Sequence, residues 1–162
     1  MAAGAGERSR GSGTSTRTAG SFNNEGLLLR EAGRDEEAER AFTSALQVDP
    51  RSASAMWNLS ELLRKKRDPR ADALLDRALA IDPDEPHWLL TRGRFRLERH
   101  DCRAALADFA RAAARTPEDP LAHASVGTAE ACLGQDGAAR AAFARSLALD
   151  PNQPGLRAAL AK

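Results

Sequence analysis

Three stretches of the chain carry side chains that could do chemistry. His100-Asp101-Cys102 has the residue types of a base, an orienting acid and a nucleophile. Adjacent residues cannot converge on one reacting atom, however, and the stretch falls between two predicted helices, where Asp101 serves a helix start. No catalysis is expected there. His87 and His123 could face each other, but a metal centre wants three or four ligands, so both are expected in packing or on a groove. Arg64-Lys65-Lys66-Arg67, with Arg70 beyond, is the concentrated cationic run. Cations at the end of a helix offset its dipole and stay solvated; the functional alternatives are an anion or acidic-peptide contact, or a nuclear localisation signal. Cys102 and Cys132 are too few and too far apart for a disulfide framework or a CxxC knuckle, which leaves a reducing compartment open. No glycine-rich phosphate loop follows a strand, because no strand is predicted. Catalytic, cofactor and metal residues are therefore assigned to none.

The elements that must position any site follow from composition and period. With 162 residues and 42% hydrophobic content, the chain suits one soluble domain. Lys plus Arg number 24 against 23 Asp plus Glu, a net charge of +1, so no global field recruits nucleic acid or a membrane surface. Apolar runs are only a few residues, far below the ~20 that span a bilayer. Residues 1–18 hold no large apolar side chain beyond Met1 and are expected to form a disordered tail. That tail lacks the apolar core of a secretory signal. Arg8, Arg10 and Arg17 with one acid, Glu7, give a faint organelle-transit pattern, and a cytoplasmic location is the preferred expectation.

From Gly26 onward the chain repeats itself. Pro50, Pro83, Pro117 and Pro151 are spaced 33, 34 and 34 residues apart, each closing a segment of similar pattern. With each proline in a thirty-second slot, the eighth slot holds Gly26, Ser60, Gly93 and Gly127. The twentieth holds Ala38, Ala71, Ala105 and Ala139, the twenty-fourth Phe42, Leu75, Phe109 and Phe143, and the twenty-seventh Ala45, Ala78, Ala112 and Ser146. Small residues at one contact and a bulky one a turn later are what a closely packed helix pair needs. Such units cannot bury their apolar faces singly and must stack.

Four units are predicted, 19–52, 53–85, 86–119 and 120–153, followed by a capping helix over 154–162. Thr18, Asp35, Ser52, Asp68, Glu85 and Asp119 are expected as helix caps, with Pro69, Pro86 and Pro120 in first turns. Gly33 ends the first helix, and Gly134 with Asp136 divides the two of the fourth unit. The second unit lacks one residue near its inner turn, where a deletion leaves both packing faces intact.

This pattern resembles the tetratricopeptide repeat, a 34-residue helix-turn-helix with a small residue, alanine, an aromatic and a closing proline. The resemblance covers roughly 19–153 and implies an all-α, right-handed solenoid of four helix pairs. There are departures. The opening aromatic slot holds Phe22, Met56, Leu89 and His123, the tyrosine slot holds Leu29, Leu63, Arg96 and Glu130, and the chain has no tyrosine. Arg96 and Glu130 are expected to replace the missing apolar contact with an ion pair.

The resemblance also implies where a partner would sit, since the opening helices of such a stack line its concave side. Carried over slot by slot, the groove residues are Asn23, Asn24, Leu27 and Arg30; Trp57, Asn58, Glu61, Arg64 and Lys65; His87, Leu90, Thr91, Arg94 and Leu97; and Leu121, Ser125, Thr128 and Cys132. Trp57 is either an anchor for a peptide or packing between units. The family's carboxylate clamp for chaperone C-termini finds only Asn58 in place, with Asn23, Leu27, His87 and Thr91 in its other positions, so that ligand is not expected. The function implied is a non-catalytic scaffold or adaptor holding a protein or peptide, without cofactor, nucleic acid or membrane span. The alternatives are a secretion or assembly chaperone shielding an apolar segment, a regulatory subunit of an enzyme complex, or an enzyme acting through the His100 region.

Overall fold

The computed structural model describes residues 17–160. Among these residues every regular element is helical: α1 (Ala19–Glu31), α2 (Asp35–Val48), α3 (Ala53–Lys65), α4 (Arg70–Ile81), α5 (Pro86–Glu98), α6 (Cys102–Arg115), α7 (Pro120–Cys132), α8 (Asp136–Leu149) and α9 (Pro154–Leu160). The predicted N-terminal tail lies outside the described residues apart from Arg17 and Thr18. The helices pair antiparallel as α1–α2, α3–α4, α5–α6 and α7–α8, and the pairs stack into a right-handed solenoid. No described helix is long and apolar enough to cross a membrane.

Each pair closes around the small-to-large contact. A Cβ placed on Gly93 would come within 2.6 Å of Cδ1 of Phe109, and one on Gly26 equally close to Cδ1 of Phe42. Where the small slot grows to Ser60, the facing aromatic shrinks to Leu75, and both are fully buried. The volumes trade within one pair, as close packing demands. Ala38, Ala71, Ala105 and Ala139 are all at most 3% exposed at the helix crossings.

The turn between paired helices repeats a backbone state. Gly33 (φ 72°), Arg67 (φ 56°), His100 (φ 60°) and Gly134 (φ 72°) occupy the same slot in the left-handed region. Glycine adopts it without penalty, whereas Arg67 and His100 carry a Cβ there.

The caps agree with expectation in part. Thr18 accepts from Ser21 N, Glu85 from His87 N, Asp101 from Ala104 N and Asp119 from Leu121 N. Asp35 is instead the first helical residue of α2, behind Arg34, and helps form an acidic first turn with Glu36 and Glu37. Asp136 similarly follows Gln135. Pro69 holds the position before α4 rather than inside it, and Asp68 accepts from Arg70 N. Ser52 stands at the start of α3 without a side-chain cap bond.

Neighbouring pairs are tied at their ends by arginines one repeat apart. Arg77 Nη2 donates to the carbonyl of Pro50 (3.3 Å) and Arg111 Nη2 to that of Pro83 (2.7 Å). At the third joint His123 Nε2 lies 2.9 Å from the Pro117 carbonyl oxygen, to which its N–H donates, and Arg145 Nε stands 3.2 Å from that same nitrogen without a lone pair left to bind it. Arg111 and Arg115 also bind Asp84 and hold its carboxyl below the usual carboxylate range.

The expected Arg96–Glu130 ion pair does not form. Arg96 Nη1 donates to Asp108 Oδ2 at 2.8 Å, and Arg92 donates to both oxygens of the same carboxylate, at 2.9 and 2.8 Å. Asp108 is 2% exposed, and a buried carboxylate without cations would cost several kcal/mol, so it takes both arginines of α5. Contact with Asp108, then Asp76, raises the Arg92 guanidinium further above its ordinary value. Glu130 Oε2 is left buried without a hydrogen-bond partner among the described residues.

Candidate functional site: the inner face

The opening helices of successive pairs touch, α1 on α3 and α5 on α7, so they form the tighter inner side of the stack. Along that side the structure brings His87, Leu90, Thr91 and Arg94 of α5 together with Leu121, Ser125 and Thr128 of α7 around a single depression of about 180 Å³. Leu97 completes its lining, as does Phe109 of α6, which reaches under α5 from the second layer. The surface is chiefly apolar with a polar rim. Leu121 is 60% exposed, large for a leucine outside a contact.

The helices position this lining through ordinary capping. Glu85 and Asp119 cap α5 and α7, and Pro86 and Pro120 set the first turns. His87 and Leu121 therefore sit in corresponding first turns. Four residues on, i and i+4 spacing carries Leu90 to Arg94 and Leu121 to Ser125 along one face.

The remaining predicted residues lie along α1 and α3, and several are committed to internal bonds. Asn58 is 2% exposed; its Nδ2 donates to Asn23 Oδ1 at 2.9 Å, and its Oδ1 accepts from Arg30 at 3.4 Å. Thr91 is 3% exposed and accepts from Trp57 Nε1 at 3.3 Å. Trp57 also meets His87 edge to face, with ring centroids 4.7 Å apart at 75°. Trp57 thus packs between units and is half-buried. Leu27 is half-buried against the core of the first three units.

The cationic run is largely engaged. Arg64 pairs with Glu98 and lies 5.0 Å from the centroid of Phe95, and Arg94 pairs with Glu61 at 2.7 Å. Lys65 approaches Asp35 at 4.0 Å, while Lys66 binds Glu39 at 2.8 Å, which raises its ammonium above the ordinary value. Glu98 faces the run from α5, and Asp35 and Glu39 face it from α2, so much of its charge meets carboxylates of neighbouring units. Arg30 has no carboxylate partner among the described residues.

His87 and His123 do not face each other, since one meets Trp57 edge to face and the other turns to the Pro117 carbonyl. No group of three metal-binding side chains occurs among the described residues. His100 sits in the left-handed turn, and Cys102 is turned away to a different partner. Cys132, carried over as a groove residue, does not line the depression. It is joined in a disulfide to Cys102, with Cα atoms 5.9 Å apart. The expectation that these cysteines are too far apart is corrected: thirty residues of α6 and α7 fold back so that the start of one helix meets the end of the other.

Phe109 and the Trp57–His87 contact escaped sequence reasoning as parts of the site. Phe109 belongs to a second-layer helix, and its slot signals packing alone. Asp108 likewise escaped it, though a carboxylate beside Phe109 on a helix with an apolar face was the available signal.

The tetratricopeptide repeat family model matches residues 23–86 and 90–154, most of the chain. A comparison with curated protein sequences gives no match. Among solved structures, PilF from Pseudomonas aeruginosa is 27% identical with a TM-score of 0.78; the match covers 85% of this chain and 64% of that one. The chain therefore spans less than two thirds of PilF's length. MamA from Desulfovibrio magneticus RS-1, residues 41 to the end, is 21% identical with a TM-score of 0.80, covering 88% of this chain and 81% of that one, which shows the shared fold. From its packed helix pairs and this match, the chain belongs to the tetratricopeptide repeat family, whose fold carries a protein-binding role.

Proposed function

We propose that the protein is a non-catalytic interaction scaffold that holds a partner segment along its inner face, with one large apolar side chain of that segment seated between α5 and α7. The observation that carries this reading is the depression floored by Phe109 and walled by Leu90, Leu97 and Leu121, with Arg94, Ser125 and Thr128 at its edge. Apolar area with a few convergent polar groups is the usual make-up of a recognition pocket. A protein segment is preferred to nucleic acid because the inner cations Arg64 and Arg94 already face Glu98 and Glu61.

The exposed Leu121 also favours a second version, in which the face shields an apolar segment of an unassembled protein. The two versions differ in their response to salt: a scaffold using the Arg30 region weakens as ionic strength rises, while shielding does not. Selection of a displayed random-peptide library against the full chain tests both. Enriched peptides are expected to share a leucine, phenylalanine or methionine, and Leu121→Glu is expected to cut their affinity at least about tenfold, or 1.4 kcal/mol, with the helical circular dichroism unchanged. Peptides without a shared apolar residue, or retained by Leu121→Glu, would overturn the assignment.

A further inference from the structure

We propose that Cys102 and Cys132 form a reversible thiol–disulfide exchange site whose reactive sulfur is that of Cys132, with a small thiol such as glutathione as the co-reactant. Three observations carry it. The Cα atoms are 5.9 Å apart, inside the range that a disulfide bridges without moving the backbone. The two residues stand on different units, at the first residue of α6 and the last of α7, so the bond ties the far ends of two helices whose near ends are joined by the turn 116–119. Their surroundings are unequal: Cys102 is 7% exposed, whereas Cys132 is open to solvent.

That inequality sets the order of events. A glutathione thiolate reaches Cys132 Sγ and forms a bond to it, and the Cys102–Cys132 bond breaks. Cys102 leaves with the electron pair and takes up a proton from water. Its sulfur lies 3.4 Å from the carbonyl oxygen of His100, an acceptor ready for the thiol so formed. A second glutathione thiolate attacks the glutathione sulfur of the mixed disulfide, releasing Cys132 as a thiolate and oxidised glutathione. Two electrons pass from two glutathione molecules to the protein disulfide, and the reverse sequence consumes one oxidised glutathione. The left-handed turn at His100 holds Cys102 at the mouth of α6 throughout. This chemistry is independent of what the inner face binds.

The test uses the full chain equilibrated in glutathione buffers of graded reduced-to-oxidised ratio, quenched in acid and read by intact mass spectrometry. In oxidising buffers the chain is expected to be lighter by two hydrogens and to resist alkylation, and to regain both in reducing buffers. Cys102→Ser is expected to accumulate one glutathionyl group on Cys132, while folded Cys132→Ser takes up the group at least about tenfold more slowly, because its remaining thiol is covered. Absence of the internal disulfide at every ratio, or equal rates for the two variants, would overturn the proposal. Should a variant lose its helical circular dichroism, brief iodoacetamide labelling of the reduced wild-type chain reads the same order by peptide mapping. Alkylation of Cys132 ahead of Cys102 supports the site, and the reverse or equal order removes it.

Discussion

At the scale of single residues, His100 shows how a side chain with catalytic credentials can hold a purely geometric post. It occupies the slot that Gly33 and Gly134 fill elsewhere, with φ at 60°, and its neighbour Asp101 is spent on capping α6. Replacing His100 by glycine relieves a left-handed penalty of about 1–2 kcal/mol but adds about 0.5–1 kcal/mol of unfolded-chain entropy. His100→Gly is therefore expected to raise stability by about 0.5–1 kcal/mol in urea melts, and a loss of stability would show that the imidazole makes a contact of its own. Asn58 teaches a similar lesson. It matched a recognition slot of the family, yet it is buried and bonded to Asn23 and Arg30, so its amide orders two inner helices rather than awaiting a ligand.

Helix pairs were legible in the sequence because their signal is local and fourfold. Small, bulky and proline slots recur at fixed intervals, and the glycine and proline punctuation marks each boundary within a residue or two. Contacts among three elements were not legible. Asp108 chooses Arg92 and Arg96 only once α5 and α6 are packed, and nothing in the spacing ranks it above Glu130 as the partner of Arg96. The cysteine pairing was hidden for the same reason, since thirty intervening residues conceal an adjacency made by the fold. For the candidate site, slot positions found most of the depression but could not tell free side chains such as Leu121 from committed ones such as Thr91. Packing within a pair makes a graded prediction. Gly93→Ala drives a methyl into Phe109, which is 3% exposed, and should cost about 1–3 kcal/mol. Gly127→Ala meets Phe143, whose half-buried ring has room to swing, and should cost less, although the Ala139 carbonyl oxygen lies 3.1 Å away. Equal costs in thermal melts would contradict the difference in confinement.

Across the whole molecule, burial is uneven along the stack. One core cluster runs from Ala38 to Ala112 through the first three units, whereas α8 fully buries only Ala139 and Ser146. A linear array of this kind opens from its weakest end. Amide exchange is expected to be fastest in α8 and α9 and slowest in α3 and α4. Reducing the disulfide, which closes a loop of 30 residues spanning α6 and α7, removes about 3–4 kcal/mol by loop-closure entropy, so α6 and α7 should exchange roughly several hundredfold faster while α1 and α2 hardly change. Uniform acceleration along the chain would mean that the units do not open separately. The arginine spokes carry a further consequence. Arg77 and Arg111 each clasp the closing proline carbonyl of the unit before them, and His123 takes that place at the third joint, so every joint brings its own fastener. A lengthened chain with residues 86–119 duplicated in tandem would inherit a second Arg111 at the correct address, and the added coil would follow the pitch of its template without a redesigned seam.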